Sequence, residues 1–320
     1  MEAALSMHQK SSSAAMQQRT WRRIKKSFTR YWQLYLLLIP VIVYLWLFNY
    51  VPMYGVQIAY RKFSPRKGIT GSPWVGLYYF KKFITYPDFK RILINTLSIT
   101  LLSLLTFPAS IILALSINEL HNLRFKKAVQ MVTYAPHFIS TVVVCSMVQL
   151  FLDRNNGIIN HLIALLGGKR TAFLGIPDAF PAIYVISGLW QHIGWDSIIY
   201  ISALAGVSPE LVEAARIDGA NRLQIMWHIH FKCILPTIMI MLIMRCGSIM
   251  SLGFEKVYLL QNSLNLERSQ VISTYVYELG LLNGEMSYSA AIGLFNTVVN
   301  ILLLLIVNTI SKKCSEISLF

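Results

Sequence analysis

Charge is scarce in this sequence. Only 13% of its 320 residues are Asp, Glu, Lys or Arg, against 55% hydrophobic, and the mean hydropathy is +0.53. A water-soluble chain has no way to hide that much apolar surface, so a soluble globular domain is excluded. Cysteine is scarce too. Cys145, Cys233, Cys246 and Cys314 fall in apolar runs or in the C-terminal tail, which implies no disulfide framework. Metal-ligand spacing is missing: His228 and His230 stand two apart, on different faces of a helix, and no metal site is expected. A phosphate-wrapping loop is missing as well, because Gly168-Lys169 is followed by Arg170, and Ile163 occupies the place of the first glycine. No Ser/His/Asp or paired-carboxylate arrangement stands out, which argues against an enzyme. Acidic residues number 14 against 29 basic ones, a net charge of +15. The basic residues flank hydrophobic runs instead of forming one basic domain, so they point to anchoring at membrane lipid and not to nucleic acid.

What the sequence has is long apolar blocks. A bilayer core of about 30 Å needs roughly 20 consecutive apolar residues in helical form. Six such runs are present, over residues 32–52, 92–117, 128–152, 180–206, 232–253 and 287–311. Backbone groups in lipid must be paired within their own segment, so each run is expected to be a helix. The fold class is therefore all-α, a polytopic membrane protein with six transmembrane helices. Residues 1–30 form a polar tail carrying seven Lys and Arg, with no small-residue cleavage site after the first run, and are expected to be retained on the cytoplasmic side. The organisation that follows is a tail over 1–30, a six-helix domain over 31–311 with an outer loop at 53–91 and an inner loop at 207–231, and a cytoplasmic C-terminal tail over 312–320.

With six spans both termini share a side, and the tail charges with Lys312 and Lys313 place that side in the cytoplasm. The margin is small: the inner segments hold 15 Lys and Arg, the outer ones 13, and Arg245 alone lies within a run. Most of the outer charge sits in the first loop, which is rich in glycine and proline and reads as a structured connection. That loop either steers an anionic ligand or an acidic protein toward the mouth, or faces anionic headgroups.

The interruption between the fourth and fifth runs is itself helical in pattern. Ser208 is placed to cap a helix that begins at Pro209, and Gly219 to end it in a left-handed conformation. Asn221 and Gln224 have capping-box spacing for a second short helix carrying Leu223, Met226 and Trp227. The expectation is a helix–turn–helix lying across the membrane face; an amphipathic element resting on lipid is the alternative.

Here Glu213-Ala214-Ala215, three residues, Gly219, and Ile229 ten residues later resemble the EAA loop of binding-protein-dependent ABC importers. The stretch with Asp218-Gly219-Ala220 is similar to carbohydrate permeases of the maltose type. Ser64-Pro65-Arg66-Lys67-Gly68, Trp190-Gln191-His192-Ile193-Gly194-Trp195-Asp196 and Val271 through Tyr277 resemble the branch that handles complex oligosaccharides such as pectin-derived or alginate-like fragments. The chain departs from the pattern at Phe231-Lys232, where the family usually has Leu-Pro; here Leu235-Pro236 comes four residues later, so the exit from the second helix is expected to be displaced or shaped differently.

The resemblance implies a type I ABC importer permease fold in a bacterial plasma membrane, crossed several times with both termini cytoplasmic. It implies that Glu213, Ala214, Ala215, Asp218 and Gly219 dock on a cytoplasmic ATPase. It also implies the partners: a second permease, related but different; two ATPase subunits, which hold ATP and magnesium, so that this chain carries no cofactor; and an extracellular solute-binding protein. Polar groups inside runs flag a pathway. Gln191, Trp195 and Asp196 in the fourth run, Arg245 in the fifth, and Asn296 and Asn300 in the sixth are the candidates to meet a sugar, aromatic faces stacking on C–H surfaces and polar groups bonding hydroxyls. Each is equally open to a packing role, and Arg245 with Asp196 to a structural ion pair. The rival to the importer reading is an ion-coupled transporter acting alone, with Asp196 as an ion carrier.

Overall fold

The computed structural model describes residues 30–247 and 252–315. Almost all of the expected N-terminal tail, the end of the fifth run at 248–251 and the last residues of the chain lie outside the described residues. The chain divides into two compact units, Met1–Gln57 and Ile58–Phe320.

In the first unit, α1 (Trp32–Leu45) is built from Leu, Ile, Val and Tyr, and it continues through a π turn at Trp46–Tyr50. Pro40 sits inside α1 without ending it. It removes one N–H, which a helix in lipid tolerates. With its following turns the helical run reaches Tyr60, 29 residues in all.

The second unit holds the rest. The first loop is pinned by isolated bridges between Arg61 and Trp74 and between Ser64 and Gly68. Gly68 and Gly76 both take positive φ there, 67° and 59°. A short helix, α2 (Tyr78–Ile84), leads into α3 (Phe89–Leu105) and α4 (Phe107–Asn118), which together make one 30-residue apolar run broken only at Thr106.

The third expected span is not one straight helix. α5 (Leu123–Tyr134) is capped by Asn122, whose side chain accepts from the N–H groups of Arg124 and Phe125 at 3.0 and 3.2 Å. After a 3-10 turn at Ala135–Phe138 the chain swings through 100° into α6 (Thr141–Leu152). Pro136 ends the regular ladder, Ile139 is extended, and Ser140 caps the new arm by accepting from the N–H of Val143. Beyond α6, Asp153 turns the chain by accepting from Asn156 and Asn155, and those N–H groups hold its carboxyl below the usual range. α7 (Ile158–Leu165) follows.

α8 (Phe180–Leu204), 25 residues, is the spine of the unit and bends by 78° into α9 (Pro209–Ile217). The next element decides between the two shapes expected for the exit from the second short helix. α10 (Arg222–Ile225) does not stop before the fifth span: it passes through a π turn at Met226–His230 straight into α11 (Phe231–Cys246), one continuous 25-residue helix. Phe231-Lys232 lies inside that helix, so the exit from the second helix is not displaced but shaped differently: it runs straight on into the fifth span. Then come α12 (Phe254–Leu260), α13 (Leu266–Ser269), α14 (Ile272–Tyr277) and α15 (Met286–Ser315). Among the described residues, four helical runs are long and apolar enough to cross a bilayer, or six if each bent pair counts as one span.

Three buried clusters hold the unit together. Phe83 of α2 and Ile92 of α3 meet Tyr275 of α14 and Ile292 of α15. Ile111 and Ala114 of α4 meet Tyr200 of α8 and Ile234 of α11. Ile99 of α3 and Cys145 of α6 meet Phe180 of α8 and Val257 of α12. Lipid removes the hydrophobic drive between helices, so close packing must supply cohesion. α8 accordingly buries Ser187, Gln191, Gly194 and Ser197 at helical spacing. Gly194 has no room for a side chain: a Cβ there would collide with the backbone carbonyl of Thr133 on α5.

Candidate functional site

Between α3, α4, α8, α11 and α12 lies a polar cavity of about 190 Å³. α8 presents Gly188, His192 and Asp196 to it, three positions spaced by four on one helical stripe, with Tyr184 one turn earlier. α11 contributes Arg245, whose Nη1 lies 3.5 Å from Asp196 Oδ2. Both side chains keep more than a third of their surface, 38% and 35%, so the pair adds little to stability. Facing them are Ser103, Thr106 and Ser110. Each hydroxyl donates to a backbone carbonyl of its own stretch, at Ile99, Ser103 and Phe107. The oxygens of Ser103 and Thr106 keep acceptor capacity on the cavity wall, which suits a ligand rich in hydroxyl donors, while Ser110 is buried and also meets the Tyr200 hydroxyl. From α12 comes Lys256, nearly buried, its Nζ 5.1 Å from the centre of the Tyr184 ring.

Of the residues singled out from sequence, the fold brings Asp196 and Arg245 together on this cavity. Gln191 is buried on another face of α8, where its Nε2 donates to the carbonyl of Ile139 at 3.1 Å and anchors the 100° bend. Trp195 lies flat on His137, ring centres 4.2 Å apart and 2° from parallel, with Phe138 edge-on. His137 in turn approaches His192, Nδ1 to Nδ1 3.1 Å, so Trp195 buttresses the cavity wall from behind. Asn296 and Asn300 sit half-buried on α15 and do not line the cavity. Asn296 Oδ1 is buried with no hydrogen-bond partner among the described residues.

Sequence reasoning passed over Lys256, Tyr184 and the three hydroxyls. The signal for Lys256 was a lone cation in the apolar stretch Phe254-Glu255-Lys256-Val257-Tyr258-Leu259-Leu260, too short to count as a span.

The second candidate element is the α9–α10 loop. Ser208 accepts from the N–H of Glu210 at 3.3 Å, and Gly219, φ 82°, ends α9. Asn221 and Gln224 form a reciprocal capping box at 2.8 and 2.9 Å. Glu213, Ala214, Asp218 and Gly219 are exposed and Ala215 is half-buried. Leu211, Ile217, Leu223 and Trp227 are exposed around them, an apolar surface of the kind a protein partner covers. Behind the loop, His230 Nδ1 lies 3.2 Å from Glu119 Oε1 just past the end of α4.

In the first loop, Arg61 donates to the carbonyls of Thr70 and Ser72 and lies over Trp74, while Lys82 pairs with Glu285 at 3.1 Å. Lys62, Arg66, Lys67, Lys81 and Lys90 are exposed.

Residues 106–316 match the family described as the binding-protein-dependent transport system inner membrane component. The chain is 46% identical to Protein LplB of Bacillus subtilis over 90% of its own length and 91% of that protein's. It is 43% identical to the polygalacturonan/rhamnogalacturonan transport system permease protein YteP of the same organism, over 88% of each. Among solved structures, a chain from a bacterial ABC transporter involved in the import of the acidic polysaccharide alginate superposes with a TM-score of 0.84 at 39% identity, covering 92% of this chain and 99% of that one. The same match holds, at 38% identity, for that transporter in complex with a periplasmic protein carrying an alginate pentasaccharide.

Proposed function

We propose, from the premise that this chain belongs to the family of binding-protein-dependent transport system inner membrane components, a specific division of labour within an oligosaccharide importer. The chain is the membrane permease of an ABC importer for oligosaccharides. A second, related permease completes the pathway, two cytoplasmic ATPases supply the work, and a solute-binding protein delivers the sugar at the outer face. Both termini and the α9–α10 loop are cytoplasmic, in a bacterial plasma membrane. The sugar is a complex acidic one, in keeping with the substrates named for the similar proteins.

The observation that carries this reading is the capped, exposed loop over 208–225, with apolar side chains standing out from it and no break between α10 and the fifth span. Nucleotide-driven closure of the ATPases moves Glu213 through Gly219, and α8 and α11, which flank that loop in sequence, carry the movement to the cavity they line. Alternating exposure of that cavity then passes sugar inward. The exposed lysines and arginines of the first loop steer acidic cargo or an acidic binding protein toward the entrance.

A complex purified through this chain tests the proposal. Recovery of ATPase subunits and a second permease, with ATP-dependent uptake of an acidic oligosaccharide into proteoliposomes, is expected. Uptake by this chain alone, down an ion gradient, would overturn it.

A further inference from the structure

Lys256 is the charge in the cavity that nothing yet described uses. It is 8% exposed, and its Nζ has no hydrogen-bond partner among the described residues. The nearest carboxylate on the cavity wall, Asp196, is engaged by Arg245, and Glu255 beside Lys256 in sequence is exposed. A buried ammonium without a partner is unfavourable, and packing alone does not call for one. Yet α8 is shaped to keep it. The Tyr184 ring offers its face at 5.1 Å, and Gly188, one turn on, leaves space where a Cβ would come within 3.2 Å of Nζ. The cation is thus held on the wall of a cavity whose other side carries hydroxyl acceptors at Ser103 and Thr106. At about 190 Å³ the space is below the roughly 300 Å³ at which pockets for larger ligands begin, so it suits one ring and its substituents, not a chain.

Building on the importer reading, we propose that this cavity is a charge-reading subsite on the sugar's path, in which Lys256 bonds the carboxylate of a uronate unit. The hydroxyls of Ser103 and Thr106 accept from the hydroxyls of the same ring. Two demands are met together: the anion compensates a buried cation that the Tyr184 face alone supports, with no hydrogen-bond partner among the described residues, and a neutral sugar of equal shape leaves that cation without one, which builds in discrimination.

The test uses the whole complex, purified through this chain and placed in proteoliposomes with its binding protein. The probes are a short galacturonate oligomer and its methyl-esterified, uncharged counterpart. Each variant's uptake is divided by wild-type uptake of the same probe, so that selection by other subunits cancels. Lys256→Met is expected to lower uptake of the acid about ten- to a hundredfold, the value of a hydrogen bond to a charged group, and that of the ester less than about twofold. Lys256→Arg is expected to keep most of the acid uptake. In detergent, without the binding protein, galacturonate is expected to raise the melting temperature of the wild-type complex and not that of Lys256→Met. Equal loss for both probes, acid uptake untouched by Lys256→Met, or the same galacturonate shift in both complexes would overturn the subsite. A wild-type complex that moves neither probe with ATP would instead sink the importer reading beneath it.

Discussion

His230 Nδ1 stands 3.2 Å from Glu119 Oε1, joining the start of the fifth span to the residue that follows α4. His230 is buried, so the contact is sheltered from water, and α4 runs on from there to Ser110 at the cavity. Motion applied to the α9–α10 loop therefore reaches two walls of the cavity at once, α11 directly and α4 through this pair.

Removing the acceptor separates those routes. Glu119→Ala should leave the complex assembled but lower the sugar carried per ATP hydrolysed, with little cost in stability, because the Asn118 amide, 3.4 Å from His230 Nδ1, remains as a partner for the imidazole. Glu119→Gln, which keeps an acceptor oxygen, should stay near wild type. The ratio of uptake to phosphate release in proteoliposomes decides, and an unchanged ratio in Glu119→Ala would count against the link.

Gly219 tests the loop itself. A Cβ there meets nothing within 4 Å, so any penalty arises from its φ of 82° alone. Asn tolerates that conformation and Val does not. Gly219→Asn should preserve ATPase co-purification and transport, whereas Gly219→Val, at about 1–3 kcal/mol of backbone strain, should reduce both. Equal behaviour of the two would mean that the turn geometry is not what the ATPase grips.

Asp196 and Arg245 separate structure from transport. As a partly exposed pair they should contribute under about 1 kcal/mol to stability. Asp196→Asn and Arg245→Met are thus expected to shift the melting temperature little while lowering uptake severalfold, measured on the same preparations. A large loss of stability with uptake per folded complex unchanged would make the pair purely architectural.

Gly194→Ala should be the most damaging of the small changes. The added methyl has to displace the Thr133 backbone, and overpacking of this kind costs about 1–3 kcal/mol or more. The expected outcome is a fall in assembled complex on gel filtration, against little change for Gly293→Ala on α15, where a Cβ would meet nothing within 4 Å.

Much of this was legible in the sequence wherever the cause was local. The sixth run, expected over 287–311, is helical over Met286–Ser315, because some two dozen apolar residues in lipid have one backbone solution. The caps at Ser208, Asn221 and Gly219 were readable because each bond closes within a few residues. The bend at Ile139 was not: hydropathy runs on through it, and what anchors it is a bond from Gln191, 52 residues away. That bond is also why Gln191, which the sequence offered as a sugar ligand, is placed on the fold's own backbone. Lys256 stayed hidden for the same reason. A lysine between two spans reads as solvated until residues from α3, α6 and α8 close over it.

The unbroken helix from Arg222 to Cys246 makes the loop a lever arm. At 1.5 Å of rise per residue, Arg245 stands about 36 Å from Asn221, so each degree of tilt about the inner end sweeps its guanidinium through roughly 0.6 Å. Some five degrees, a modest rocking for a docked subunit, moves it by about 3 Å. That is close to the 3.5 Å that separates it from Asp196, so under the proposed coupling a stroke that rocks the rod would also unlatch the cavity wall.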